Sequence, residues 1–224
     1  MSTTGKRVTV PAAACAISAA LLLAGCGSSK TAAPAAPGIT GAQPASAAPS
    51  ASPAASPSAT PAPTAVLPAG FTIQVDGGPT GDPVKDAVLA ANLSYYRAVF
   101  QAVGKQNADD SLYQLWTGQE TVLVNARQST EKYIQAFISG GDSIYGTLRI
   151  YDRNVTLTSA SKASLTWCED QTKTFDKVVA TGKVLYNAPS RASYTYYRST
   201  LWKNSAGRWI TVWISGLQGD SRCS

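Results

Sequence analysis

Apolar and polar positions along this 224-residue chain fall into three regimes. Residues 8–24 are almost free of polar side chains, residues 30–68 are built from Ala, Pro, Ser and Thr, and from residue 82 onward the pattern is periodic. Asp82-Pro83 opens the periodic part as a helix start, Asp as the cap and Pro at the first helical position, where its missing N–H is not needed. Val84, Val88, Leu89, Tyr95, Tyr96, Val99, Phe100 and Val103 then recur at helical spacing, which predicts one apolar helix face ending at Gly104. Asp109-Asp110 caps a short helix holding Leu112, Tyr113, Leu115 and Trp116, stopped by Gly118. A third helix is predicted from about residue 121 to 139, with Val122, Val124, Tyr133, Ile134 and Phe137 apolar and Gly140-Gly141 as its stop.

After Gly141 the period changes to two. Residues 146–157 alternate, with Leu148 and Ile150 on one face and Arg149 and Tyr151 on the other. Ala163, Leu165 and Trp167 make one face of the next strand, and residues 174–185 are also extended, interrupted at Thr181-Gly182. Residues 194–203 and 209–217 flank Asn204-Ser205-Ala206-Gly207, a hairpin signal. On the last strand Ile210, Val212 and Ile214 are expected to share one face, and Trp209, Thr211 and Trp213 the other. Helices followed by antiparallel strands give an α+β fold class.

Lys6 and Arg7 before the apolar run make the N-terminus read as a secretory signal peptide; the run is short for a spanning helix and contains Pro11. Leu23-Ala24-Gly25-Cys26 resembles a bacterial lipobox position for position. That resemblance implies diacylglycerol transfer to the Cys26 thiol, cleavage before it, and residues 1–25 as the leader. One acyl chain holds a protein to a membrane weakly, whereas two or three anchor it firmly. Residues 26–69 read as a disordered tether: nine of the thirteen prolines lie between Pro34 and Pro68, and the stretch has no aromatic residue. Its polyproline II bias makes it a spacer. The folded domain is then residues 70–224.

Charge changes the picture little. The net charge is +6, but Lys6, Arg7 and Lys30 supply half of it, and the remaining basic residues are interspersed with all thirteen acidic ones. No basic stripe is present, which argues against nucleic acid as a partner. The partner expected from the N-terminus is a membrane, reached through the lipid on Cys26.

Two cysteines, Cys168 and Cys223, remain in the domain. In an exported protein an even pair favours a disulfide; two free thiols or a redox pair are the alternatives, and the CxxC spacing of redox pairs is missing. There is no His anywhere, so the commonest general base near neutral pH and the commonest metal ligand are both missing. No metal site, phosphate-binding glycine loop or cofactor motif is found, and no cofactor is expected.

Gly146-Thr147-Leu148, the segment from Ala163 to Asp170 with Cys168 before an acidic pair, Thr181-Gly182, Gly207-Arg208-Trp209 and a Cys near the end together resemble secreted actinobacterial lipoproteins with a nuclear transport factor 2-like (SnoaL-like) domain. The resemblance implies three helices on the concave face of a strongly curved antiparallel sheet, enclosing a conical pocket. Enzymes of that family are isomerases and dehydratases working by proton transfer, and other members only bind, so the fold alone does not choose.

Asp152 beside Tyr151, and Asp142 near Tyr145, are the carboxylates considered for catalysis, although Asp152-Arg153-Asn154 reads more simply as a solvated turn. Tyr194, Tyr196, Arg198 and Trp202 share one face of their strand, and Trp209 and Trp213 one face of its hairpin partner. Such rows suit a ligand or partner surface, or plain cross-strand packing. The first expectation is a non-catalytic, lipid-anchored domain on the outer face of the bacterial membrane, binding a small apolar ligand or an envelope protein. The alternative is a cavity enzyme of the isomerase or dehydratase type using Asp and Tyr, which a carboxyl buried in an apolar pocket would favour.

Overall fold

The computed structural model describes residues 63–119 and 125–223. The leader, Cys26 and most of the tether lie outside the described residues. Helix α1 (Pro83–Lys105) starts where Asp82-Pro83 places it. The Asp82 carboxylate accepts from the N–H of Val84 at 2.8 Å and of Lys85 at 3.2 Å, satisfying donors the helix leaves free. The helix runs one residue past Gly104 and closes on Gln106 in the left-handed region. Gly104 has a packing reason instead: a Cβ there would come within 2.8 Å of Pro68, so the glycine admits the incoming chain. That chain already touches the domain before residue 70, with Ala65 and Leu67 packed on the core and the N–H of Val66 donating to Gln101 at 2.8 Å.

Helix α2 (Ser111–Gln114) is one turn, capped by Asp110, whose carboxylate also takes Lys105 at 3.0 Å. Helix α3 (Ala126–Gly140) is capped by Asn125, whose side-chain oxygen accepts from the N–H of Gln128 at 2.7 Å, and ends on Gly141 at φ 71°. The expected earlier start, at residues 121–124, lies outside the described residues.

Six strands form one sheet: β1 (Phe71–Val75), β2 (Asp142–Ser159), β3 (Lys162–Val178), β4 (Val184–Leu185), β5 (Tyr194–Lys203) and β6 (Trp209–Gln218). Their order is β1-β2-β3-β5-β6, with β4 on a further stretch of β3. The fold class is α+β as expected, but the sheet is mixed rather than purely antiparallel. Strand β1 lies parallel to β2, in register from Phe71 opposite Gly146 to Val75 opposite Ile150. The alternation Phe71-Thr72-Ile73-Gln74-Val75 is visible in the sequence, but its partner is over seventy residues away, so nothing local announces the strand. Phe71 fastens it to the core against the Phe100 ring, centroids 4.7 Å apart.

The sequence splits β3 in two, and the structure makes it one 17-residue strand. It changes partner along its length: residues 162–170 pair with β5, Asp176 and Lys177 pair with β4, and β2 runs beside nearly all of it. The β2–β3 ladder breaks register three times, and such bulges bend and twist a strand pair, here around the helices. At Gly146 (φ +97°) a Cβ would lie 2.1 Å from the carbonyl oxygen of Lys173, so only glycine fits.

The β5–β6 hairpin forms at Asn204-Ser205-Ala206-Gly207, where the Asn204 side chain accepts from the N–H groups of Ala206 and Arg208. Pairing jumps from Thr200–Trp213 to Leu201–Thr211, which leaves Val212 as a bulge. The bulge overturns the expected faces of β6. Trp209 and Thr211 point inward before it, Ile214 points inward after it, and Trp213 falls on the outer face.

The structure joins Cys168 to Cys223, with Cα atoms 5.4 Å apart. The bridge holds the C-terminal turn Ser221–Cys223 against β3 and β5; Tyr151 adds a hydrogen bond to the Cys223 carbonyl at 2.6 Å. Closing a 55-residue separation stabilises the fold by about 4 kcal/mol on the chain-entropy model.

Candidate functional site

Alternation along β3 sends Ala163, Leu165 and Trp167 into the core, and the same parity carries Glu169 inward. Glu169 is a carboxyl residue only 2 % exposed. Three side chains donate to it: the Tyr96 hydroxyl and, weakly at 3.5 Å, the Trp167 indole N–H to Oε1, and the Gln171 amide to Oε2 at 2.9 Å. Trp167 also donates to the Tyr96 oxygen at 2.9 Å. An indole N–H can only donate, so the Tyr96 oxygen accepts from Trp167 and turns its own proton to Glu169. The chain of donors thus has a fixed direction, from Trp167 through Tyr96 to the carboxyl.

The walls come from three elements. On α1, Tyr95 and Tyr96 are consecutive, their rings 5.6 Å apart edge to face, and the Tyr95 hydroxyl reaches Thr130 of α3 at 2.9 Å. On β5, Tyr197 pairs with Trp167 and stacks on it at 5.2 Å, nearly parallel. Gly216 of β6 makes this possible, because a Cβ there would come within 2.7 Å of the Tyr197 ring. These groups line an inner chamber of about 160 Å³, together with Val99, Phe100 and Ile214 and with Ser129 and Tyr133, which are exposed to solvent. An outer chamber of about 240 Å³ adjoins it at Phe100 and Tyr133, and is lined by Phe137, Gln171, Thr174, Phe175, Asp176 and the loop before β5.

Burial raises the pKa of the Glu169 carboxyl, and the hydrogen bonds from Tyr96, Gln171 and Trp167 only partly offset it. Burial pushes the Tyr95 hydroxyl up to about 12 and holds Tyr96 well above its usual value, helped by the charge of Glu169. For Tyr197 the charge of Glu169 is the larger cause and burial the second. These three tyrosines therefore remain protonated donors at any physiological pH, grouped about one carboxyl able to hold or release a proton. The arrangement can grip a hydrogen-bonding group on a small ring-like molecule, or move a proton on it.

The carboxylates considered from sequence are placed elsewhere. Asp142 opens β2, and Asp152 is exposed at φ 51° beside a break in the β2–β3 register. Neither lines the inner chamber. Glu169 is the carboxyl that lines the chamber instead, and the signal that locates it is parity: two residues beyond an inward Trp167, it faces the same way. Tyr194, Tyr196, Arg198 and Trp202 do share the outer face of β5, while Trp209 is a core residue and does not accompany Trp213. Cations of the same chain cover part of this row: Arg222 lies 3.6 Å from the Tyr196 ring centre and Lys162 4.7 Å from that of Trp202. Among the described residues no group of His, Cys, Asp or Glu is arranged to hold a metal ion, and no helix is long and apolar enough to cross a membrane.

No protein-family model matches the chain, and no curated protein does. Solved structures similar to it include a ketosteroid isomerase-like protein from Erwinia carotovora atroseptica, 14% identical over 61% of this chain and 97% of that one, with a TM-score of 0.41. A hexachlorocyclohexane dehydrochlorinase from Novosphingobium barchaimii is 12% identical over 60% of this chain and 88% of that one, with a TM-score of 0.40. An NTF-2-like protein of unknown function from Shewanella oneidensis is 13% identical over 59% of this chain and 97% of that one, with a TM-score of 0.36. Likenesses this distant carry no functional argument, so function is argued from the side chains of the chamber.

Proposed function

We propose that this chain is a lipid-anchored protein of the bacterial cell envelope whose folded domain binds a small, mostly apolar ligand in the inner chamber. The lipobox-like Leu23-Ala24-Gly25-Cys26 supports the address, and a disulfide between Cys168 and Cys223 suits an oxidising compartment. Glu169 carries the ligand reading: a buried carboxyl with oriented donors, at the wall of a chamber where five aromatic rings, Val99 and Ile214 outnumber the polar Ser129, Thr130 and Ser215, is a ready anchor for one polar group on an apolar body. A chamber of about 160 Å³ matches a molecule of about one six-membered ring. The envelope-protein reading has less support, because the outer aromatic row is half-buried or core and partly covered by cations of its own chain.

Benzyl alcohol, one ring with one hydroxyl, tests this. Titrated into the full-length chain, it is expected to shift the indole N–H resonance of Trp167 saturably, and Ser129→Trp, which plugs the chamber wall, is expected to abolish the shift. A shift that never saturates, or one unchanged by the plug, would sink the reading. The raised pKa of Glu169 supports a second reading, proton transfer with Glu169 as the base. It requires that the chain exchange the α-protons of a small ring ketone in heavy water and that Glu169→Gln lose that exchange.

A further inference from the structure

Of the seven large apolar side chains that stand exposed among the described residues, three lie within eight positions at one corner of the sheet: Val179 at 49 %, Leu185 at 41 % and Tyr186 at 72 %. They belong to the hairpin of β3 and β4. Its turn is closed by the N–H of Gly182 on the Val178 carbonyl at 2.8 Å and the N–H of Val178 on the Lys183 carbonyl at 2.9 Å. The exposure therefore belongs to a hydrogen-bonded tip, and water does not satisfy clustered apolar side chains as it satisfies charged ones.

Charge is distributed unevenly around the tip. Residues 173–187 hold Lys173, Lys177 and Lys183 against a single acid, Asp176, and none of the three lysines has an ion pair among the described residues. Register separates the signs. Lys173 stands opposite Thr147 and Lys177 opposite Ser143, on one face, whereas Asp176 stands opposite Ile144 and Leu185 on the other, within reach of the charge of Asp142. The lysine face also receives the chain from the N-terminus. A Cβ on Gly70 would lie 2.3 Å from the ring of Tyr145; Tyr145 is opposite Phe175, and Phe175 meets Tyr186 with ring centroids 4.8 Å apart. The chain arriving from the proposed anchor enters the domain at one end of this row, and the exposed tip is the other end.

Successive strand residues point to opposite faces, so Leu185 and Tyr186 are exposed on both sides of the tip. A flat protein surface covers one side and leaves the other in water. A bilayer interface surrounds an inserted edge, takes Tyr at headgroup depth and, when anionic, attracts the lysines. The geometry points to the β3–β4 tip as a second membrane contact: Val179, Leu185 and Tyr186 enter the interface of an anionic bilayer, and Lys173, Lys177 and Lys183 meet its headgroups. This inference rests on the anchored address proposed above, because a chain already tied to the bilayer makes a weak second contact intramolecular.

Hydrogen exchange resolved over residues 173–187 tests it, on the full-length chain purified from membranes, with vesicles of phosphatidylcholine alone or mixed with phosphatidylglycerol. The amides of residues 179–187 are expected to slow by about threefold or more on the anionic vesicles, and less on the neutral ones. Leu185→Ser with Tyr186→Ser should abolish the slowing. Lys173→Gln, Lys177→Gln and Lys183→Gln together should remove its dependence on anionic lipid, and both variants are checked for an unchanged melting temperature. An acylated chain whose tip exchanges alike with and without anionic vesicles refutes the contact and leaves the anchor standing. Slowing that survives the two serines refutes it as well, and slowing that grows with protein concentration without vesicles assigns the tip to a second copy instead. A chain without an acyl group whose tip still slows on anionic vesicles refutes the anchor alone.

Discussion

At Glu169 two influences oppose each other: burial disfavours the charged form, and donors from Tyr96, Gln171 and Trp167 favour it. Burial is the larger, so the pKa in the folded chain is raised above that of the unfolded chain. The stability this group contributes is fully present below its unfolded pKa and is lost as pH rises through the folded value. Glu169→Gln is neutral at every pH and keeps the shape. The melting temperature of the natural chain minus that of the variant should therefore fall as pH rises above the ordinary carboxylate range. A difference that stays flat or rises would show that the donors outweigh burial. Asp176, also raised, is present in both proteins and cancels from the comparison. At this scale the sequence points each side chain but does not say what it meets. The inward parity of Trp167 extends to Glu169 and Gln171, yet Tyr96 and Tyr197 reach the same spot only through packing of α1 and pairing of β5.

Among the elements, α1 and the β5–β6 hairpin follow from local chemistry: a capping Asp before Pro, and an Asn whose side chain closes its own turn. The bends of β2 and β3 depend instead on what lies opposite. Gly146 sits where β1, β2 and β3 run side by side, in a left-handed conformation and against the carbonyl of Lys173. Gly146→Ala must push backbone apart, and is expected to destabilise the domain by about 3 kcal/mol in urea unfolding. A loss below about 0.5 kcal/mol would mean that the strand pair gives way freely there. The Val212 bulge shows the same dependence from the other side. A strict period of two places Trp209 with Trp213, and one extra residue without a partner sends one into the core and the other to the outer face.

For the whole molecule, the two ends of the chain have separate tasks. The C-terminus is tied down by Cys168–Cys223, by the Tyr151 hydroxyl on the Cys223 carbonyl and by Arg222 over the ring of Tyr196. The bridge adjoins the candidate site in sequence, since Cys168 immediately precedes Glu169. The N-terminus carries the proposed anchor, and Cys26→Ser tests it. The variant is expected to leave the membrane fraction or to accumulate as an unprocessed precursor, read by fractionation and intact mass. Retention in the membrane with an unchanged acylated mass would refute the anchor.

The sequence by itself determined the α+β class, the N-cap of α1, the hairpin, the inward face of β3 and the pair of cysteines that the structure joins. All of these depend on residues a few positions apart, or on the chemistry of a residue type. Tertiary structure alone decided the parallel placement of β1, the single long β3 with its change of partner, the side taken by Trp213, and the meeting of Tyr95, Tyr96, Glu169 and Tyr197 around one chamber. A periodic pattern fixes the direction of a side chain relative to its own element. Register, bulges and enclosure arise between elements far apart in the chain, and burial of Glu169 is a property of that enclosure.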